Sequence, residues 1–219
     1  MKIGVFGGTF NPVHYGHLRA AEEAGEILAL DKILFVPSGN PPLKAHEVAD
    51  SLQRYKMARL AVVKNRLFDV LDIECVSPGK SYTINTLETL VRLYEGSDLY
   101  FILGIDAFLD IPNWWKPEEL VSMVNFVVLS RPGSMFVDLV SSPYLDIKKD
   151  FLRRLDDKEM ESFAAPLQTR KEAVIVNVTD MDISSSDIRR RIRERRSIKY
   201  LLPEEVESFI ISNRLYLPD

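Results

Sequence analysis

Residues 7–17, Gly7-Gly8-Thr9-Phe10-Asn11-Pro12-Val13-His14-Tyr15-Gly16-His17, carry the strongest chemical signal in this chain. They follow Lys2-Ile3-Gly4-Val5-Phe6, an apolar run that reads as a buried strand, and lead into a segment rich in helix formers, Leu18-Arg19-Ala20-Ala21-Glu22-Glu23-Ala24. A strand, a tight glycine turn and a helix N-terminus together make an anion site. Free backbone N–H groups and the helix dipole both point at it. His14 and His17 stand three residues apart, so a helical turn puts both imidazoles on one face. Gly16 between them leaves room for a ligand to approach the backbone. The plainer alternative, that the rings only cap or pack the helix start, suits a lone histidine better than this pair. A P-loop is excluded because no lysine follows the glycines. A dinucleotide-binding turn is excluded because both the Gly-x-Gly-x-x-Gly pattern and the acid closing the second strand are missing.

Open α/β sheets bind ligands at the carboxyl ends of their strands, and four further motifs fall where such ends are expected. The loop Pro37-Ser38-Gly39-Asn40-Pro41-Pro42-Leu43-Lys44 is stiffened by proline, and Lys44 could reach an anion in the cleft. In Gly104-Ile105-Asp106 the glycine admits a ring or ribose against the backbone, and the aspartate can accept from ribose hydroxyls or cap a helix. Downstream, Trp114 and Trp115 offer indoles for stacking on a heteroaromatic ring, with one of the two expected in the core. Gly79-Lys80-Ser81-Tyr82-Thr83 opens a helix with hydroxyls and N–H groups, which suits a carboxylate as well as simple capping. Ile183-Ser184-Ser185-Ser186-Asp187-Ile188-Arg189 places three serines at a helix start, with Arg189 one turn on as a two-pronged phosphate donor.

The elements that must position these residues alternate. Strand candidates lie at 2–6, 32–37, 68–73, 99–103, 126–130 and 173–178, and helix candidates at 15–30, 51–64, 83–94, 116–123, 185–195 and 203–213. Such alternation predicts an α/β fold, a doubly wound and mostly parallel sheet covered on both faces. The span 1–219 reads as a single domain, with a small C-terminal helical part at 184–219. The stretch 132–170 breaks the alternation and reads as an irregular excursion from the sheet, with weak helical pattern only at 147–155.

The chain has 219 residues, 46% apolar and 27% charged, ordinary for a globular protein with a sizeable core. One cysteine, Cys75, excludes an internal disulfide and fits a reducing compartment. With no signal-peptide pattern and no long apolar run, the expected location is cytoplasmic, away from the membrane. A net charge of −4 argues against a nucleic-acid partner. Six arginines within 189–196 concentrate positive charge locally, which suits a small polyanion better than a duplex. The oligomeric state stays open, a homo-oligomer included.

Taken together, these motifs resemble the bacterial nicotinate-nucleotide adenylyltransferases of the nucleotidyltransferase superfamily. The likeness runs from Lys2 to Leu217 in the family's order and includes Ser130-Arg131-Pro132-Gly133 and the tail Tyr200-Leu201-Leu202-Pro203 through Leu215-Tyr216. Three positions depart: Leu43 where a histidine often precedes the lysine, Ser77 where arginine is usual, and Asn85 where aspartate is common. They bear on mononucleotide binding and loop closure rather than on the groups the chemistry requires.

The resemblance implies a Rossmann-like nucleotidyltransferase fold. It also implies condensation of nicotinate mononucleotide with ATP, giving deamido-NAD and pyrophosphate in NAD biosynthesis. His14, His17 and Arg189 would be catalytic. Gly7, Gly8, Thr9, Phe10, Gly16, Lys44, Gly104, Asp106, Arg131, Ser184 and Ser185 would join them around ATP. Gly8, Thr9, Lys44, Ser81, Tyr82, Thr83, Asp106, Trp114 and Trp115 would bind the mononucleotide. Mg2+ would be held mainly by substrate phosphates, with no metal ligands assigned to the protein. The alternatives are a sister adenylyltransferase acting on nicotinamide mononucleotide or phosphopantetheine, and a nucleotide-binding regulator without turnover.

Overall fold

A computed structural model describes residues 1–40 and 48–217. The elements in chain order are β1 (Lys2–Gly8), α1 (Tyr15–Leu28), β2 (Lys32–Pro37), α2 (Ser51–Val62), β3 (Phe68–Val70), α3 (Thr83–Leu93), β4 (Asp98–Gly104) and α4 (Ile105–Leu109). They continue as α5 (Pro117–Met123), β5 (Asn125–Leu129), α6 (Lys149–Asp156), β6 (Ser162–Pro166), β7 (Glu172–Val176), α7 (Ser185–Arg193) and α8 (Glu204–Ser212). The seven strands form one sheet in the order β3-β2-β1-β4-β5-β7-β6, parallel except for β6, which runs antiparallel to β7. The chain winds outward from β1 to β3 and then restarts at β4. The crevice at the β1/β4 reversal is therefore where a ligand is expected.

Strand side chains alternate between two cores, as the period of two demands. In β2, Leu34 and Val36 join the core on one face with Ile84 and Leu87 of α3, while Ile33 and Phe35 join the other with Met57 and Ala58 of α2. Both faces are covered, so the strands read as continuous apolar runs rather than alternating ones.

Several sequence expectations need correction. Gly7 and Gly8 are the last residues of β1, in register with Val36 and Pro37, and the turn begins only at Thr9. A Cβ on Gly7 would stand 3.0 Å from the Phe101 ring, and one on Gly8 the same distance from Phe10, so the glycines admit aromatic packing. Pro203 precedes α8 as its cap instead of opening it from within. The stretch 132–170, expected off the sheet, contributes the edge strand β6, while α6 forms where the weak helical pattern at 147–155 lies. β3 stops at Val70, short of the expected 73.

Candidate active site

The loop from Thr9 to His14 crosses the carboxyl end of β1 and feeds α1, with His14 at the N-cap in an extended backbone conformation. His17 lies in the first turn above it. The two imidazole centroids are 3.7 Å apart, with the planes tilted by 34°. The His14 backbone N–H donates to His17 Nδ1 at 3.3 Å, so the neutral His17 ring carries its proton on Nε2. His14 is 6% exposed. Burial, with the positive charge of Arg131 nearby, lowers its imidazole from 6.5 to about 4. It is therefore neutral at pH 7. Gly16 is explained by the same packing, since a Cβ there would stand 3.0 Å from His14 Nδ1.

The C-terminal part of the chain locks this loop. Ser185 Oγ, at the start of α7, donates to Pro12 O at 2.8 Å, and Arg189 Nη1 donates to Asn11 O at 2.8 Å. Ser184 caps α7 by accepting from the Asp187 N–H at 3.1 Å. Ile188 seats the helix in the core. Further along, Arg190 and Arg191 both pair with Asp187, while Arg195 and Arg196 lie exposed beyond the helix end. The basic run thus divides into one arginine on the Thr9–His14 loop, two arginines paired with Asp187 and an exposed distal pair.

Across the switch point, Gly104 caps α4 and Asp106 pairs with Arg131, both side chains more than half exposed. A Cβ on Gly104 would collide with Asp106 Oδ1 at 2.8 Å. Trp114 packs edge-on to Phe101 at 6.3 Å, and its indole N–H donates to Asp110 Oδ2 at 3.0 Å. Trp115 is 58% exposed and lies 5.9 Å from the Tyr82 ring. The pair divides as expected, one indole on the core and one open beside the start of α3. Tyr82 caps α3 and Thr83 is its first residue. Ser81, expected to face a ligand, instead accepts through Oγ from the N–H groups of Gly39 and Asn40, both at 3.1 Å. Lys44 and Leu43 lie outside the described residues.

Three residues to which the sequence reading gives no role hold the site together. Asn11 is buried, and its Oδ1 accepts from Tyr216 Oη at 2.8 Å and from the Ala49 N–H at 3.1 Å. Burial pushes the Tyr216 phenol well above its ordinary range, so it stays a donor. Arg54, 1% exposed, reaches carbonyls on both strand-end loops. A signal for Arg54 existed: it stands three and four residues before the buried Met57 and Ala58, on the core-facing stripe of α2.

Cys75, the one cysteine, lies against Pro37 O and Ser51 O and is pushed up to about 11 by burial, so it is no activated nucleophile for this site. A helix N-terminus with two imidazoles and nearby guanidinium groups, set at the switch point of a parallel sheet, defines a nucleotidyltransferase. The cytidylyltransferase-like family matches residues 5–191. Over 220 residues the chain is 40% identical to a protein of Geobacter sulfurreducens named a probable nicotinate-nucleotide adenylyltransferase, covering 100% of each. A protein of the same name from Pelobacter propionicus is 41% identical over 218 residues, 99% of this chain and 98% of that relative. The chain belongs to the nicotinate-nucleotide adenylyltransferases, within the cytidylyltransferase-like family. Its fold is shared with solved structures of the Plasmodium falciparum nicotinic acid mononucleotide adenylyltransferase. The complex with NaAD has a TM-score of 0.72 at 21% identity, over 98% of this chain and 97% of that one. The complex with APC gives 0.70 at 20%, over 98% and 96%. No helix among the described residues is long and apolar enough to cross a membrane.

Proposed function

We propose that residues 1–219 act as one domain that joins nicotinate mononucleotide to ATP, giving deamido-NAD and pyrophosphate. The observation that carries this reading is the close, tilted His14–His17 ring pair at the α1 N-terminus, whose loop is bonded by Ser185 and Arg189. A 5′-phosphate oxygen of the mononucleotide attacks the α-phosphorus of ATP in line. The P–O bond to the β-phosphate breaks, and pyrophosphate leaves with that electron pair. The nucleophile is already anionic, so the protein's work is alignment and charge stabilisation.

His17 Nε2–H and the first-turn N–H groups of α1 donate to the triphosphate oxygens. Neutral His14 contributes a hydrogen bond rather than a charge. Arg189 and Ser185 take the leaving pyrophosphate, with Arg131 at the far side of the crevice. Asp106 exchanges its Arg131 partner for the ribose hydroxyls. Trp115 and Tyr82 flank the nicotinate ring, and the Tyr82 and Thr83 N–H groups at the start of α3 take its carboxylate.

Nucleotidyl transfer from ATP generally uses a divalent metal. We assign Mg2+, a hard ion that keeps water and phosphate oxygens as ligands. The imidazole, guanidinium and hydroxyl groups around the α1 N-terminus fit that arrangement, since they address phosphate oxygens and leave the ion to substrate. When bound, it would neutralise charge between the phosphates.

Pyrophosphate release measured with ATP and each of nicotinate mononucleotide, nicotinamide mononucleotide and phosphopantetheine tests the reading. A carboxamide presents an NH2 group to donors that expect a carboxylate, so kcat/KM should favour the acid by roughly 100-fold or more. Equal values for the acid and the amide would overturn the substrate assignment. No release with any acceptor would overturn the activity.

A further inference from the structure

Arg54 projects from the first turn of α2 into the space beneath both strand-end loops, and its guanidinium is spent on backbone carbonyls. Nε donates to Ala49 O at 2.9 Å, Nη1 to Thr9 O at 2.7 Å, and Nη2 to Ser38 O at 2.5 Å and Gly39 O at 3.0 Å. Its hydrogen-bond partners among the described residues are all backbone carbonyls, and the carboxylates of Asp50 and Glu74 act on it only through their charge. A cation buried to this degree is costly unless its donors are satisfied, and packing alone would be served by an apolar side chain of similar volume.

The bonded peptides show what the cation does. In a trans peptide the C=O and N–H point to opposite edges of one plane. The Ser38–Gly39 and Gly39–Asn40 peptides give their carbonyls to Arg54 and their N–H groups to Ser81 Oγ, so both edges are gripped. Gly39 permits this, because a Cβ there would stand 2.0 Å from Glu74 O. A continuous chain of bonds therefore runs from Thr9, at the start of the loop that leads to the histidine pair, through Arg54 and the loop after β2 to Ser81, next to the cap of α3. Its two ends are the proposed triphosphate site and the proposed nicotinate site.

We infer that Arg54 is a positioning residue that sets the distance and angle between the two substrate half-sites by clamping Thr9, Ser38 and Gly39 through one rigid fork. This rests on the adenylyltransferase reading given above. The fork contacts no substrate. Its effect falls on how often the attacking phosphate and the α-phosphorus meet in line, while each substrate still finds its own half-site intact.

The test is Arg54→Lys, which keeps the charge but cannot reach four carbonyls from a single ammonium. A displacement of about 1 Å at the reacting atoms costs about 100-fold. The expected result is a kcat lowered by roughly 10- to 100-fold, with ATP and mononucleotide affinities, each titrated alone by calorimetry, within about threefold of wild type. Ser81→Ala removes the opposite grip from a half-exposed position, and it decides the matter should Arg54→Lys not fold. It should show the same split, and the double variant should lose less than the product of the two single losses. A kcat within threefold of wild type, or a loss confined to the affinity for one substrate, would overturn the inference. Wild-type protein assayed alongside separates the two ideas, since absence of turnover there overturns the adenylyltransferase reading instead.

Discussion

The rings of His14 and His17 lie with centroids 3.7 Å apart and planes tilted by 34°, and the backbone N–H of the first donates to Nδ1 of the second at 3.3 Å. One residue thus sets both the orientation and the tautomer of the other. His17→Ala should lower kcat by on the order of 100-fold, the scale of one lost oxyanion donor. ATP affinity should fall less, and Tm should barely move. Turnover near wild type in the pyrophosphate assay would reduce His17 to a packing residue.

The buried His14 makes stability depend on pH. Its folded value of about 4 lies below the unfolded value of 6.5, so on acidification the unfolded chain takes up the proton first. The contribution is fully present above pH 6.5 and is lost as pH falls toward 4, a decline of about 3 kcal/mol. Urea midpoints between pH 4 and 7 should show this slope for wild type and a flatter one for His14→Asn. Parallel curves would assign the acid sensitivity to other groups.

Arg189 and the distal arginines make opposite forecasts. Arg189→Lys keeps the charge but loses the fork that reaches Asn11 O, so the ATP KM should rise or kcat fall by about 10-fold or more. Arg195→Ala with Arg196→Ala changes only solvated side chains and should leave both parameters within about twofold. Equal losses would mean that the run acts as a diffuse positive field.

The two tryptophans should separate stability from binding. Trp114→Ala removes a ring packed on Phe101 and a hydrogen bond to Asp110, and should cost about 3 kcal/mol by denaturant titration. Trp115→Ala should leave the unfolding midpoint in place while raising the mononucleotide KM by roughly 3- to 10-fold. A stability loss at Trp115 without a KM change would withdraw it from the site.

Much of the architecture was legible because it is written locally. The span of β2 at 32–37 matches the expectation residue for residue, and α1, α2 and α3 begin where expected, at Tyr15, Ser51 and Thr83. β6 was hidden for a physical reason. Ser162-Phe163-Ala164-Ala165-Pro166 has no β-branched residue and ends in proline, so it carries little strand preference of its own and exists by pairing with β7 at the sheet edge.

The site divides in the same way. The sequence by itself determined the histidine spacing, the helix starts that present N–H groups and the placement of motifs after strands, since each depends on neighbours within a few residues. Only the tertiary structure decided that Arg189 bonds Asn11 across 178 positions, that Tyr216 reaches the same residue across 205, and that Arg54 turns inward to three loop carbonyls besides that of Ala49. Hydrogen bonds between distant segments leave no periodicity in the chain. They form once the two packed faces of the sheet have brought those segments together, and the shape of the crevice depends on them.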